Sequence, residues 1–193
     1  MTNLPPIIVT GTGRSGTSCV AGALHYLGVD MGPPFIPPNH RNPHGYFESV
    51  HTIEAGKLLE AGRIAASGYA ERIMRRAGPK PWGFKDPRVA GLLASLSVAL
   101  AGALWIVCER NRDDTIRSLM KTYDEPQARE LFDRRQACIN VLLASGSRTI
   151  RWSLEEEDPI VESLCRRINE AGTPLVPTPE QVTEAESYVA KLG

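Results

Sequence analysis

Residues 11–18, Gly11-Thr12-Gly13-Arg14-Ser15-Gly16-Thr17-Ser18, combine three glycines, four hydroxyl side chains and one guanidinium. In a turn of that composition successive backbone N–H groups point inward. A helix starting behind it adds partial positive charge, so the turn attracts a phosphate-like anion. Gly11, Gly13 and Gly16 allow close backbone approach, Ser15, Thr17 and Ser18 add hydroxyl donors, and Arg14 puts a formal charge at the crest. The plainer alternative is a tight turn that needs glycine for shape alone. Elsewhere, His40, His44 and His51 are spaced as a weak metal-site pattern in a proline-rich loop, and His25 falls beside helical apolar positions as a structural histidine. Cys19, Cys108, Cys138 and Cys165 are widely separated, with no CxxC pair; they read as buried free thiols suited to a reducing cytoplasm.

Positioning such a loop requires a strand before it and a helix after it, and both are legible. Ile7-Ile8-Val9-Thr10 is a β-branched run without polar alternation, as a strand covered on both faces requires. Helical apolar spacing follows at Val20, Ala23, Leu24 and Leu27, stopped by Gly28. Residues 29–45 are irregular and rich in proline, a length of loop that serves a function or moves. Helices are expected over 47–62 and 69–76, a strand over 82–85, and a helix from Pro87 through Ala90, Leu93, Leu96 and Leu100. Ala103-Leu104-Trp105-Ile106-Val107-Cys108 is the second core strand, followed by a helix capped by Asp113 or Asp114 and running through Ile116, Leu119 and Met120. A helix over 126–143, a strand over 149–152, a helix over 158–168 and a short terminal helix complete the chain. Strands alternating with helices imply an α/β three-layer sandwich with a central parallel sheet, as one domain over residues 1–193.

Composition narrows the function classes. Lys plus Arg and Asp plus Glu number 22 each, for a net charge of +0, so bulk charge holds the chain to neither nucleic acid nor anionic lipid. The longest apolar candidate for a membrane span, residues 89–107, is broken by Gly91, Gly102 and two serines, and the N-terminus lacks a basic, cleavable leader. The expectation is a cytoplasmic protein without membrane or nucleic-acid partners. Trp82, Trp105 and Trp152 flank the strands as core residues, while Arg72, Arg75, Arg76, Arg134 and Arg135 read as solvated helix faces.

Against the phosphate-loop pattern G-x-x-x-x-G-K-[ST], Gly11, Gly16 and Ser18 fit, but Thr17 stands where the lysine belongs and the charge has moved to Arg14. That difference is informative. Ile8-Val9-Thr10-Gly11-Thr12-Gly13-Arg14-Ser15-Gly16-Thr17-Ser18 resembles the 5′-phosphosulfate loop of sulfotransferases, the enzymes that use 3′-phosphoadenosine 5′-phosphosulfate (PAPS). Two further segments carry the same resemblance, to the bacterial and tyrosylprotein branch: Arg110 with Ser118 eight positions later, and Gly83-Phe84-Lys85-Asp86-Pro87-Arg88.

The resemblance implies a P-loop sulfotransferase topology and sulfonate transfer from PAPS, without metal, to a hydroxyl or amine of a small-molecule or carbohydrate acceptor. Its donor site maps onto Gly13, Arg14, Ser15, Gly16, Thr17 and Ser18, with Arg110 and Ser118 at the 3′-phosphate. Arginine clamps phosphate with a fork of donors and a serine hydroxyl fills another lone pair. Arg14 and Lys85 would stabilise charge growing on the leaving oxygen, Lys85 being otherwise a surface lysine before a helix. Glu48, ending Asn42-Pro43-His44-Gly45-Tyr46-Phe47-Glu48, is the first choice of base, since a carboxylate at a loop-to-helix junction can be aimed into a cleft. Otherwise it is a first-turn glutamate complementing a helix dipole, and His44 or His51 would replace it. Asp86 reads as a helix cap; Arg88 reaches phosphate or pairs with an acid. Residues 31–43 either close over the acceptor or form a rigid connector. Two alternatives stand: a small-molecule or nucleotide kinase with a degenerate loop, and a silent nucleotide-binding homologue.

Overall fold

The computed structural model describes residues 4–87, 89, 93–153 and 159–192. Its strands are β1 (Ile7–Gly11), β2 (Gly83–Lys85), β3 (Leu104–Glu109) and β4 (Thr149–Ser153). Its helices are α1 (Thr17–Tyr26), α2 (Val50–Glu60), α3 (Ala66–Met74), α4 (Leu93–Ala99), α5 (Arg112–Leu119), α6 (Glu125–Ala144), α7 (Ile160–Glu170) and α8 (Pro179–Ala190). The four strands form one parallel sheet in the order β2-β1-β3-β4.

Successive strand residues point to opposite faces, and here both faces are apolar. Ile7, Val9, Leu104, Ile106, Cys108, Ile150 and Trp152 face α1, α7 and α8, whereas Ile8, Phe84, Trp105 and Val107 face α3, α4 and α6. The result is the expected helix–sheet–helix sandwich. All three tryptophans are buried in it, in the packing role expected of them. Truncating a fully buried residue such as Leu24 to alanine would cost about 2–5 kcal/mol. Gly83 lies beside β1 where any Cβ would run into the Ile7 carbonyl, and Gly22 sits under the Tyr188 ring, so α8 can lie directly on α1. No helix among the described residues is long and apolar enough to cross a membrane.

Three local expectations need correction. The cap of α5 is Asn111, whose Oδ1 accepts from the backbone N–H groups of Asp113 (2.9 Å) and Asp114 (3.3 Å). The two aspartates instead occupy the first turn, where they complement the dipole. The second helix begins at Val50, not residue 47, because Phe47 has φ 51° and residues 34–36 pair with 48–50 through Ile36 N–H to Glu48 O and Val50 N–H to Pro34 O. Glu48 therefore precedes the Ser49 cap and is not a first-turn glutamate. The terminal helix is 12 residues long, closed by a Thr178–Gln181 capping box. Arg88, Ala90 and Asp158 lie outside the described residues.

Candidate active site

The loop between β1 and α1 turns on three anchors in the left-handed region, Gly13 (φ 86°), Arg14 (φ 58°) and Gly16 (φ 86°). Gly16 caps α1 without any side-chain bond, leaving the first-turn N–H groups for a ligand. Gly11 permits the close approach to β3, since a Cβ there would stand 2.6 Å from the Cys108 carbonyl and 2.5 Å from Ser15 Oγ. Ser15 is consequently tucked beneath the loop, its hydroxyl buried with no hydrogen-bond partner among the described residues. Gly13, Arg14, Gly16, Thr17 and Ser18 line the cleft above. Arg14, a non-glycine residue held in a sparsely populated conformation, stores strain of the kind found at ligand-binding turns. Its Nε donates to Ser118 Oγ at 3.0 Å, so the crest of the loop is tied to α5. Arg110, just beyond β3, opens onto the same cleft.

Lys85 is the last residue of β2 and is almost fully buried. Its ammonium donates to Glu48 Oε1 (2.7 Å), the Tyr46 carbonyl (3.0 Å) and Ser18 Oγ (3.1 Å). Glu48 reaches it because Phe47 is driven into the core against the rings of His25, Tyr26, Phe35 and Tyr188, leaving the next side chain on the cleft side. Tyr188 also donates to the Ser18 carbonyl (3.1 Å), so α8 braces the first turn of α1. The irregular segment contributes directly: Asn42 Nδ2 donates to Ser18 Oγ (3.2 Å) and Arg41 to Thr122 Oγ1 (3.4 Å). Asp86 is buried and does not line the cleft.

The expectation for one arginine needs correction. Arg135 belongs to no solvated face: its Nη1 donates to the Thr12 carbonyl at 2.9 Å, and burial pushes its pKa below the ordinary arginine value. That bond turns the peptide following Thr12 so that its carbonyl faces Arg135 and its N–H the other way. The signal was available position by position. Ala128, Phe132, Ile139 and Leu142 are the buried residues of α6, and 135 falls on their three-and-four spacing. A charge on that stripe needs a buried partner. By contrast Arg75 pairs with Glu71 at the surface and Arg76 with Asp30 beneath the Trp82 ring.

His25 is half-buried in its aromatic box and burial pushes its pKa down. His40, His44 and His51 are exposed and belong to no metal-ligating group among the described residues. Burial drives the Cys19 thiol up to about 11, which removes it as a nucleophile near neutrality.

The cleft measures about 470 Å³ and sits past the C-terminal ends of β1, β2 and β3, where open parallel sheets place their ligands. Its described lining carries five cations, Arg14, Arg41, Lys85, Arg110 and Arg135, against one carboxylate, Glu48. In a chain of net charge +0 this concentrates positive, anion-attracting potential beside a helix N-terminus.

No protein-family profile matches the sequence, and no curated protein matches it. Solved structures do match the fold. Sulfotransferase STF1 from Mycobacterium tuberculosis H37Rv superposes with a TM-score of 0.64 at 14% identity, over 96% of this chain and 71% of that one. Sulfotransferase STF9 from Mycobacterium avium gives 0.61 at 13% identity, over 99% and 69%. The sulfotransferase domain from the curacin biosynthetic pathway gives 0.52 at 13%, over 93% and 77%. At such identities the likeness is one of architecture. A parallel four-stranded sheet between two helical layers, with a glycine loop after its first strand, gives this chain the fold of the bacterial sulfotransferases.

Proposed function

We propose that the protein transfers a sulfonate from PAPS to a hydroxyl, or less often an amine, of an acceptor. One observation carries the reading: five cations and an uncapped helix N-terminus converge on a glycine loop lacking the triphosphatase lysine, beside a buried lysine–glutamate pair. The residues fit the donor. Backbone N–H groups of 13–18, with Thr17 and Ser18, would hold the 5′ end; Arg110 and Ser118 would hold the 3′-phosphate. Ser15 would contribute through its main chain. Arg14, bonded to Ser118, lies where it can serve both ends.

The donor supplies an electrophilic sulfur and a phosphate leaving group. The acceptor oxygen bonds to sulfur, the sulfur–oxygen bond to the 5′-phosphate breaks, and the acceptor proton ends on Glu48. Glu48 and Lys85 act together in this scheme. A proton taken by the carboxylate neutralises its half of the pair, so the Lys85 ammonium is freed to follow charge onto the leaving oxygen. Arg14 and Arg135 add fixed positive potential beside the leaving oxygen.

The donor set also favours this reading over a magnesium-dependent kinase. Glu48, the carboxylate among the described cleft residues, is engaged by Lys85. Glu109 at the end of β3 is held by Arg151 through two bonds, of 2.7 and 3.1 Å. Four free cysteines support a reducing compartment for the enzyme. The test is release of adenosine 3′,5′-bisphosphate from ³⁵S-labelled PAPS in a panel of sugar and phenol acceptors with a chelator present. Label transfer under those conditions is expected. Uptake of bisphosphate with no transfer to any acceptor would identify a silent binding protein instead.

A further inference from the structure

Ser18, in the first turn of α1, lines the cleft, and two donors already converge on its hydroxyl oxygen. Lys85 Nζ donates to it at 3.1 Å and Asn42 Nδ2 at 3.2 Å. An ammonium has no lone pair and can only donate, so Ser18 accepts from Lys85. A hydroxyl oxygen carries two lone pairs and one proton. With both lone pairs taken, the proton is the capacity left over, and no acceptor among the described residues receives it. It sits beside the first-turn N–H groups that Gly16 leaves without a side-chain cap.

Asn42 is held in place by its backbone. It exchanges two bonds with the Asn39 main chain (3.0 and 3.2 Å), and its carbonyl also accepts from the Gly45 N–H at 3.3 Å. Asn39 Oδ1 gathers the turn further, accepting from the N–H groups of Arg41 (2.9 Å) and Asn42 (3.3 Å) and from the Tyr46 hydroxyl (2.8 Å). The Asn42 side chain is left to Ser18. Further along the same segment, the Tyr46 carbonyl (3.0 Å) and Glu48 (2.7 Å) take the other two protons of the Lys85 ammonium. One stretch of chain therefore fixes Lys85 and Ser18 together.

We propose that Asn42 is a specificity-determining residue of the donor loop. By filling the second lone pair of Ser18 it commits that hydroxyl to donate to an anionic oxygen, and closes it to a cation. In the triphosphatase loop the equivalent hydroxyl gives a lone pair to magnesium. Ser18 has none to give while Lys85 and Asn42 hold both. The inference rests on the reading above, in which Ser18 meets the 5′-phosphate of the donor. Asn42 acts through Ser18, as a positioning residue.

The experiment is calorimetric titration of adenosine 3′,5′-bisphosphate in the presence of a chelator, with adenosine 3′-monophosphate measured by displacement. It compares the native protein with Asn42→Ala, Asn42→Asp, Ser18→Ala and the Ser18→Ala/Asn42→Ala double variant. Ser18→Ala should lower bisphosphate affinity about tenfold, the scale of a hydrogen bond to a charged group. Asn42→Ala should lower it about three- to tenfold, since it removes the bond that aims the hydroxyl. Both should leave the affinity for the 3′-monophosphate unchanged, because that ligand has no 5′-phosphate. In the Ser18→Ala background the second substitution should add nothing. Asn42→Asp offers Ser18 only acceptors, recaptures its proton, and should bind the bisphosphate more weakly than Asn42→Ala. Asn42→Ala keeps the backbone bonds of residue 42, so its melting temperature should match the native one. Magnesium in place of the chelator should not tighten native binding. No loss in Asn42→Ala, equal losses for the two nucleotides, additive losses in the double variant, native affinity in Asn42→Asp, or tightening by magnesium overturns the role of Asn42. Each of these leaves the donor site standing. Failure of the bisphosphate to bind the native protein overturns both.

Discussion

Replacing Lys85 with methionine tests the coupling at the heart of the cleft. The lysine side chain is 3% exposed and Glu48 14%, with 2.7 Å between the charges. Removing one member of a buried ion pair costs about 3–5 kcal/mol because the other charge is left uncompensated. Water reaches Glu48 in part, so Lys85→Met is expected near the lower end, about 3 kcal/mol. For a chain of this size that corresponds to a fall in melting temperature of roughly 6–12 °C. Adding Glu48→Gln should restore part of the loss, since a neutral amide no longer needs the ammonium. The resulting cycle should show a coupling of about 1–3 kcal/mol, in the range measured for contacting groups. Urea unfolding of the four proteins reads the energies, and the transfer assay should show activity lost in both single variants. Strict additivity of the two substitutions in the unfolding measurements would refute the pairing and the concerted role built on it.

Other consequences are equally direct. Arg14→Ala should abolish transfer, whereas Arg110→Ala should mainly weaken bisphosphate binding; near-normal turnover in both would falsify those roles. Gly13→Ala forces a non-glycine residue into φ 86° and puts a Cβ 2.6 Å from Arg135 Nη1. The strain is about 1–2 kcal/mol, so thermal unfolding should show the melting temperature lowered by roughly 2–8 °C. His25 supplies a pH test: burial lowers its pKa, so as pH falls below its ordinary 6.5 the unfolded chain takes up the proton first and the folded state loses stability. His25→Phe, compatible with the surrounding rings, should make the melting temperature less sensitive between pH 7.5 and 5.5. An unchanged slope would remove His25 from that account.

The centre of the sheet was legible because β1 and β3 are nearly uninterrupted apolar runs, covered on both faces and without polar alternation, whereas the edge strand β4 alternates, with Arg151 exposed between buried Ile150 and Trp152. The glycine loop was legible because backbone geometry, more than long-range packing, dictates its residue types. Side-chain direction inside the loop was not: the φ values of Gly13, Arg14 and Gly16 put Ser15 beneath the turn, and nothing local to the residue announces that. Asn111 was passed over as a cap because two aspartates follow it and rank equally as cap formers. Glu48 and Lys85 lie 37 positions apart, so their meeting depends on where β2 ends and on Phe47 being pulled inward. Arg135 was hidden by its neighbour. Taken as a pair, Arg134 and Arg135 suggest a wet surface, but position 135 alone continues the buried stripe of α6.

Calorimetric titration with adenosine 3′,5′-bisphosphate, run beside adenosine triphosphate with magnesium, addresses the central claim most directly. A cleft whose fixed cations span from the glycine loop to Arg110 and Ser118 should take up the bisphosphate with micromolar or tighter affinity, with salt weakening it, and should largely ignore the triphosphate. Tight binding of magnesium triphosphate with no heat from the bisphosphate would contradict it.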